Sequence, residues 1–531
     1  MSEQPHAREP DRPAAQPSPV QWVLLALIMI AAMVLRLIYL PDTEANFDEL
    51  WHLELSTGRG STHLDLPRDQ LIERGPSVTS LQDAPPWTRV PGSLETVTHP
   101  PVYPVLLRFW RATFGESIAV ARAFSALAAA LCVWPLFELV RLLHRTSTAL
   151  WACAILAVSS AQIDVAQEVR NYALATLSCL CAAAALARVQ RFGVNPLRLA
   201  ALVVSCAAAL LTHYFTAPAL AALGLYTLIA LRGRERWQAA AAMCAGAMLF
   251  ATVWGPMIRR QAPAFEGASA PGALGDVGAE AAEHNAQTFK RLAAIPVRLL
   301  FEPRKEMRAL PLMGAVLFVL PWLLVGRDRA MILWALWVTL VVGLAAGLDF
   351  ARGTRHLEQL RHSVLAGPAV AAFLAAALVA LGARPAFAHG LPALVVLGCA
   401  LALGLTYTRA NPKYSDIGRA LAAGGPETFA EPVVFCSEPH RAWWADVMYL
   451  GAAHYSSTFP RPIVRVTGPV DDALLGELRR RWSHVWIVRG AIGLSAQQIV
   501  PGTATESYFA EPHLGTVSRM RWAEPVPASR P

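Results

Sequence analysis

Residues 21–52 read QWVLLALIMIAAMVLRLIYLPDTEANFDELWH. The first part, from Val23 to Leu40, is a long apolar run, and a helix needs about 20 such residues to cross hydrocarbon. The run is too long for the core of a secretory leader and no small-residue cleavage site follows it. It is therefore expected to remain as an uncleaved first span. Directly beyond it stand two adjacent carboxylates, Asp48 and Glu49. An acid pair just past a membrane exit can sit at the mouth of a helix bundle. Taken alone it could equally cap a helix or face water.

Working outward from this stretch, similar apolar runs recur along the 531 residues. Spans are expected near 22–40, 117–140, 148–163, 172–188, 197–213, 215–231, 238–257, 309–325, 330–348, 363–382 and 388–407, eleven in all. Only 16% of the chain is charged, against about 25% in a soluble protein. Water is not its main solvent. The expected fold class is mainly α, a polytopic transmembrane helix bundle with a small external C-terminal α/β domain.

Short connections bearing Arg141 and Arg145, Arg188 and Arg191, Arg232 to Arg236, Arg327 and Arg329, and Arg384 fall at alternate ends of the spans. The positive-inside rule then puts the N-terminus in the cytoplasm and the C-terminus outside. Residues 1–19 read as a disordered cytoplasmic tail, 20–408 as the membrane domain with a first external loop at 41–116, and 409–531 as the external domain. Within the last, Val433–Cys436, Ile463–Val466 and Val485–Val488 read as short buried strands, with helical runs around 440–451 and 471–481. The stretch 261–283, rich in Ala, Gly and Pro, reads as a flexible loop. The segments 41–116, 258–308 and 349–362 are rich in Arg on the side where the rule expects few. Long loops tolerate such charges; an anionic ligand held at the outer surface would also explain them.

Seven of the eight cysteines lie in apolar runs and Cys436 stands alone, so neither a disulfide framework nor a zinc site is expected. Four further motifs carry polar chemistry. Thr98-His99-Pro100-Pro101 precedes an amphipathic stretch whose Arg108, Trp110 and Arg111 suit an interfacial helix. Gln167-Glu168-Val169-Arg170-Asn171-Tyr172 follows the third span; on a helix Asp164 and Glu168 would share one face, as would Gln167, Arg170 and Asn171. Thr212-His213-Tyr214-Phe215 lies between two closely spaced spans. Arg352 to His356 and Arg361-His362 form a dense cationic group before the tenth. Ionisable groups at membrane depth are costly and suggest function, although a Glu168–Arg170 pair could neutralise itself. Arg forks match phosphate oxygens.

In this order the motifs resemble the family 39 GT-C glycosyltransferases, the bacterial relatives of protein O-mannosyltransferases and of the lipid A aminoarabinose transferase. The resemblance covers residues 20 to about 410 and weakens beyond them. It rests on Asp48-Glu49, His99-Pro100-Pro101, Gln167 to Leu174, Thr212 to Phe215 and, more loosely, Arg361-His362-Ser363-Val364-Leu365, where a histidine replaces the family's tyrosine. The resemblance implies an inverting transfer of a sugar from a polyprenyl-phosphate donor to an acceptor hydroxyl, outside a bacterial inner membrane.

On this reading Asp48 is the base and Glu49 shapes the site. Arg170 and Arg361 contact the donor phosphate, with Arg355 and His356 as further candidates; His99, Glu168, Tyr172 and His213 bind sugar or acceptor, or brace these groups. The expected partners are a polyprenyl-phosphate-linked sugar, membrane lipids and a lipid, glycan or protein acceptor. No nucleic acid or cofactor is expected; phosphate already leaves readily, so no metal is required and none is indicated, although some relatives in the resembled family use a divalent ion. A multi-span transporter or a noncatalytic envelope-assembly protein are the competing readings. Paired repeats would favour the first, and none is visible; the intact Asp48 argues against the second.

Overall fold

Ser18 starts the first helix. Its hydroxyl accepts the Gln21 amide at 3.3 Å, the Gln21 side chain accepts the Ser18 amide at 2.9 Å, and Pro19 occupies the first helical position, a reciprocal cap on a ring already fitted to the helix. The computed structural model describes residues 16–38, 40–41, 43–268, 279–301, 309–325, 329–382, 385–406, 414–438, 443–490, 494–511 and 515–523. Each of the eleven predicted apolar runs is helical there. Among the described residues six helices are long and apolar enough to cross a membrane: Pro19–Leu37, Ile118–Leu143, Tyr172–Phe192, Gly233–Pro263, Ala330–Arg352 and Val364–Leu381. A seventh is the pair Thr146–Val158 and Ser160–Ala166, bent by 60°. Against the eleven full spans expected, the remaining runs form the shorter helices Pro196–Thr212, Tyr214–Ala230, Leu310–Val325 and Phe387–Leu403.

The chain divides into two compact units. One comprises Met1–Ile38 with Ser125–Thr408, the other Tyr39–Phe124 with Arg409–Pro531. This differs from the division read from the sequence, because the first external loop belongs with the C-terminal domain and not with the helices around it in the chain.

In the helical unit the bend at Ser159 frees backbone carbonyls, which hydrocarbon cannot solvate. Arg36 of the first helix answers them: its buried guanidinium donates to Leu156 O at 3.0 Å and Ala157 O at 3.1 Å. Ser159 Oγ closes the other side through Leu299 O and Leu300 O, at 2.9 and 2.8 Å. Alanines line the buried faces of the helices around them, letting backbones approach closely. Outward, the first helix exposes Val23, Leu24, Leu27, Ile30 and Val34, a face suited to lipid. The stretch 261–283, expected to be a loop, is helical at both ends: Gly233–Ala268 runs through Pro256 and Pro263 and is followed by Ala279–Arg298. Gln261 is buried there and accepts the Tyr214 hydroxyl at 2.6 Å, so tertiary contact overrides the Ala/Gly/Pro composition. Arg327 and Arg384, two of the arginines that orient the chain, lie outside the described residues, as do 1–15 and 269–278.

The second unit is built on a five-stranded sheet of order β2-β1-β3-β5-β4. β1 (Val433–Cys436) lies parallel between β2 (Ile463–Val466) and β3 (His484–Arg489). The hairpin β4 (Thr503–Glu511) and β5 (Gly515–Trp522) completes it antiparallel. The three apolar strands are those read from the sequence; the polar hairpin escaped notice. Helices Trp443–Tyr455 and Asp472–Arg481 follow β1 and β2. The first external loop extends the sheet at β2, where Ile72 and Ile463 exchange backbone hydrogen bonds of 2.9 Å. A buried cation needs partners, and Arg465 finds them in Asp446, His63 O and Leu66 O; Arg68 adds a 2.7 Å bond to Asp446.

Candidate active site

The polar motifs form two groups, one in each unit. In the sheet-bearing unit the acid pair opens the helix Phe47–Leu55. Asn46 Oδ1 accepts the Glu49 amide at 3.0 Å, and Glu49 Oε2 accepts the Asn46 amide at 2.9 Å. Glu49 is buried against Arg122, whose Nε and Nη2 donate to its two oxygens at 2.8 and 2.9 Å. Asp48, one position earlier, is half-buried. The two neighbouring acids thus differ in burial, one closed in an ion pair and one half-buried.

One turn on, His52 Nδ1 donates to the Asp48 carbonyl at 2.9 Å, and its ring lies 4.8 Å from that of His99 and 5.6 Å from that of Tyr103. The His-Pro-Pro motif is thereby brought to the acid helix. A second buried acid, Glu54, pairs with His63; burial pushes its carboxyl above the ordinary carboxylate range. Arg108 and Arg111, on the helix Val102–Phe114, both turn to loop oxygens. Arg111 is buried and donates to Leu53 O, Ser56 Oγ and Thr79 O at 2.8, 2.7 and 2.6 Å, and Arg108 reaches Pro85 O at 3.2 Å. Loop carbonyls need donors wherever a loop folds inward, and these two arginines provide them.

In the helical unit the motif around Arg170 occupies a short non-helical segment between Ser160–Ala166 and Tyr172–Phe192. The shared helical faces expected for Asp164 with Glu168, and for Gln167 with Arg170 and Asn171, therefore do not form. Gln167 Nε2 instead donates to the last carbonyls of the first helix, Ile38 O at 2.8 Å among them, and Asn171 donates to Thr212 O at 3.2 Å. Asp164 is exposed and Glu168 half-exposed. Arg170 is buried, donates to Tyr172 Oη at 3.1 Å and lies 5.3 Å over that ring, an attraction between a cation and a π face.

From Tyr172 the rings continue in a chain. Tyr172 stacks on His213 at 5.1 Å, His213 meets Phe215 at 5.3 Å, Phe215 meets His362 at 5.4 Å, and His362 meets His356 at 4.9 Å. Asp349 organises the last segment, its Oδ1 accepting from Thr354 Oγ1 and the His356 amide at 2.7 and 2.6 Å and its Oδ2 from the Leu357 amide at 2.8 Å. His362 is held down to about 3, chiefly by burial and then by the charges of His356, Arg361 and Arg170, with Asp349 opposing. The ring is neutral at ordinary pH. Three motifs far apart in sequence thus converge: Arg170 and Tyr172, His213, and His356 with Arg361 and His362. Arg355 stays outside the group, exposed.

Sequence reasoning missed Arg122 and Asp349. Both had a signal. An arginine inside the apolar run IAVARAFSALAAAL and an aspartate at the end of an apolar span are each costly unless paired, so each demanded a partner.

Residues 98–258 match the family model described as dolichyl-phosphate-mannose-protein mannosyltransferase. The crystal structure of ArnT from Cupriavidus metallidurans bound to undecaprenyl phosphate is similar with a TM-score of 0.58 at 13% identity, over 95% of this chain and 98% of that one. The same protein in its apo state gives 0.57 with equal identity and coverage. The Archaeoglobus fulgidus oligosaccharyltransferase in complex with Zn and sulfate gives 0.48 at 11% identity, over 88% of this chain and 68% of that one. No curated protein matches by sequence. The fold is the ArnT-like GT-C fold, that of a multi-pass membrane protein.

Proposed function

We propose that this chain is an inverting glycosyltransferase that moves a sugar from a polyprenyl-phosphate donor to an acceptor hydroxyl at the external face of a bacterial inner membrane. The observation that carries the reading is the convergence of Arg170, Arg361, His356, Tyr172 and His213 around the neutral His362. Such a group of cations and ring faces suits a phosphate carrying a sugar: guanidinium forks match the phosphate oxygens, and aromatic faces suit the apolar faces of a sugar ring. The ArnT structure with undecaprenyl phosphate and the mannosyltransferase family model support a lipid-linked donor.

In the reaction the acceptor oxygen forms a bond to the anomeric carbon as the bond from that carbon to the phosphate oxygen breaks. The electron pair of the broken bond leaves with the lipid phosphate, where Arg170 and Arg361 stabilise the growing charge. The acceptor proton passes to the Asp48 carboxylate. Glu49, closed in its pair with Arg122, serves by holding the acid helix, and His99 packs against that helix through His52. The acceptor belongs to an envelope lipid, glycan or protein. Mass spectrometry of polyprenyl-phosphate sugars and envelope glycans, with and without the protein, tests the proposal. The lipid-linked sugar is expected to accumulate and one glycan modification to vanish; unchanged profiles of both overturn it.

A further inference from the structure

Residues 40–46 lead from the membrane exit to the acid helix, and they are held from two directions within the sheet-bearing unit. On one side stands Arg122. Its Nη1 donates to Leu40 O and Thr43 O, both at 2.7 Å, and to Thr43 Oγ1 at 2.9 Å; its Nη2 donates to Glu44 O at 3.0 Å; Nε and Nη2 also bind Glu49. Every nitrogen of the guanidinium is taken up by the protein, in a residue 2% exposed. Arg122 is thus a bracket around the segment, not a ligand group.

On the other side stands the C-terminal domain. The Glu44 carboxylate accepts the amides of Tyr414 and Ser415, at 2.7 and 3.0 Å, and the Ser415 hydroxyl, all at the start of helix Tyr414–Ala422. Tyr455, the last residue of helix Trp443–Tyr455, accepts the Ala45 amide on its hydroxyl at 2.6 Å. Burial pushes the Tyr455 hydroxyl up to about 12, so it remains a neutral partner at any working pH. The next residue, Asn46, caps the helix that presents Asp48.

We propose that Arg122 and Tyr455 are positioning residues for Asp48, which makes the C-terminal domain part of the catalytic unit. The inference rests on the reading of Asp48 as the base. A base acts only from a narrow range of positions, and small misplacements cost much of the rate. A backbone gripped at 40, 43, 44 and 45 and locked by a cap at 46 leaves Asp48 little freedom beyond its own side-chain rotation. The titratable groups around this segment are Glu44, Asp48, Glu49, Arg122 and the His52 ring, together with the neutral hydroxyls of Tyr414 and Tyr455. Arg122 is the cation that balances Glu49 beside Asp48.

The test uses the full chain in nanodiscs, with transfer assayed on the lipid fraction of a strain lacking the protein and with undecaprenyl phosphate as the binding probe. Tyr455→Phe is expected to lower kcat about tenfold or more, with the affinity for undecaprenyl phosphate and the melting temperature unchanged. Arg122→Gln is expected to lower kcat further and to move the acidic limb of its pH profile upward, because the Glu49 charge is then unbalanced beside the base. The double variant Arg122→Gln with Glu49→Gln removes both charges and is expected to return the limb to its original place, which a loss of folding could not do. Should Arg122→Gln fail to fold, Tyr455→Phe decides alone. Wild-type kcat in Tyr455→Phe, while Asp48→Asn is inactive, overturns the positioning role. An active Asp48→Asn instead overturns the assignment of the base itself.

Discussion

Two sets of arginines in this molecule have opposite surroundings. In the sheet-bearing unit Arg122 faces Glu49, Arg465 and Arg68 share Asp446, and Arg111 is surrounded by carbonyl and hydroxyl oxygens. Charge there is balanced or enclosed, and the result is architecture. In the helical unit Arg170, Arg361 and His356 surround the neutral His362, and the Asp349 carboxylate beside them binds Thr354, two backbone amides and, at 3.1 Å, His356. A gathering of cations and ring faces suits an anionic ligand, whereas a closed pair indicates a joint.

The largest expected effect tests whether the two regions divide the chemistry as proposed. Asp48→Asn keeps shape and hydrogen bonding but removes basicity, so turnover should fall about 10²–10⁴-fold while undecaprenyl phosphate still binds. Glu49→Gln should be milder, since the amide can still accept from Asn46. If Glu49→Gln abolished transfer and Asp48→Asn did not, the roles of the two acids would be exchanged.

Next in size are Arg170→Ala and Arg361→Ala. Loss of a charge-assisted contact costs about 1.5–3 kcal/mol, which is roughly ten- to a hundredfold in affinity for undecaprenyl phosphate, measured by calorimetry. Equal affinity in both variants would erase the contrast between ligand-facing and structural cations.

His362 sharpens the comparison through pH. Its folded value, about 3, lies below the ordinary histidine value near 6.5, so the unfolded chain binds more protons between those two pH values. Stability therefore falls as pH drops from about 6.5 toward 3. His362→Phe should flatten that part of a thermal-unfolding series; an unchanged slope would show that the ring is not held neutral. The smallest effect is expected for Arg355→Ala, since this arginine stands exposed outside the ring chain. Donor affinity should change less than tenfold, and a loss as large as that of Arg170→Ala would place Arg355 among the phosphate ligands after all.

The sequence showed the polar residues more clearly than their roles. Glu49 and Asp48 look alike as neighbours in a loop, and only the capping geometry and Arg122 separate them. Arg111 and Arg170 look alike as arginines near apolar segments; one fastens a loop and the other lies over a tyrosine ring. The helical period that Gln167 to Tyr172 suggests is cut by the break after Ala166. The strands β1, β2 and β3 were visible because they are short apolar runs, whereas β4 and β5 are not and went unread.

By itself the sequence determined the helices, the order of the motifs and the need for partners. Apolar run length sets where a chain can cross hydrocarbon, and each ionisable group within such a run must be satisfied. Which partner satisfies it is decided only in the tertiary structure. Glu49 and Arg122 are 73 residues apart and Arg68 and Asp446 are 378 apart, and several other acids and arginines could have matched either by charge. The same holds for the first external loop, which joins the C-terminal sheet at Ile463. The exposed edge of a sheet accepts any extended segment that can offer amides and carbonyls in register. Just before that edge Arg465 and Asp446 bind His63 O, Leu66 O and Arg68, a constraint that no local stretch of sequence contains.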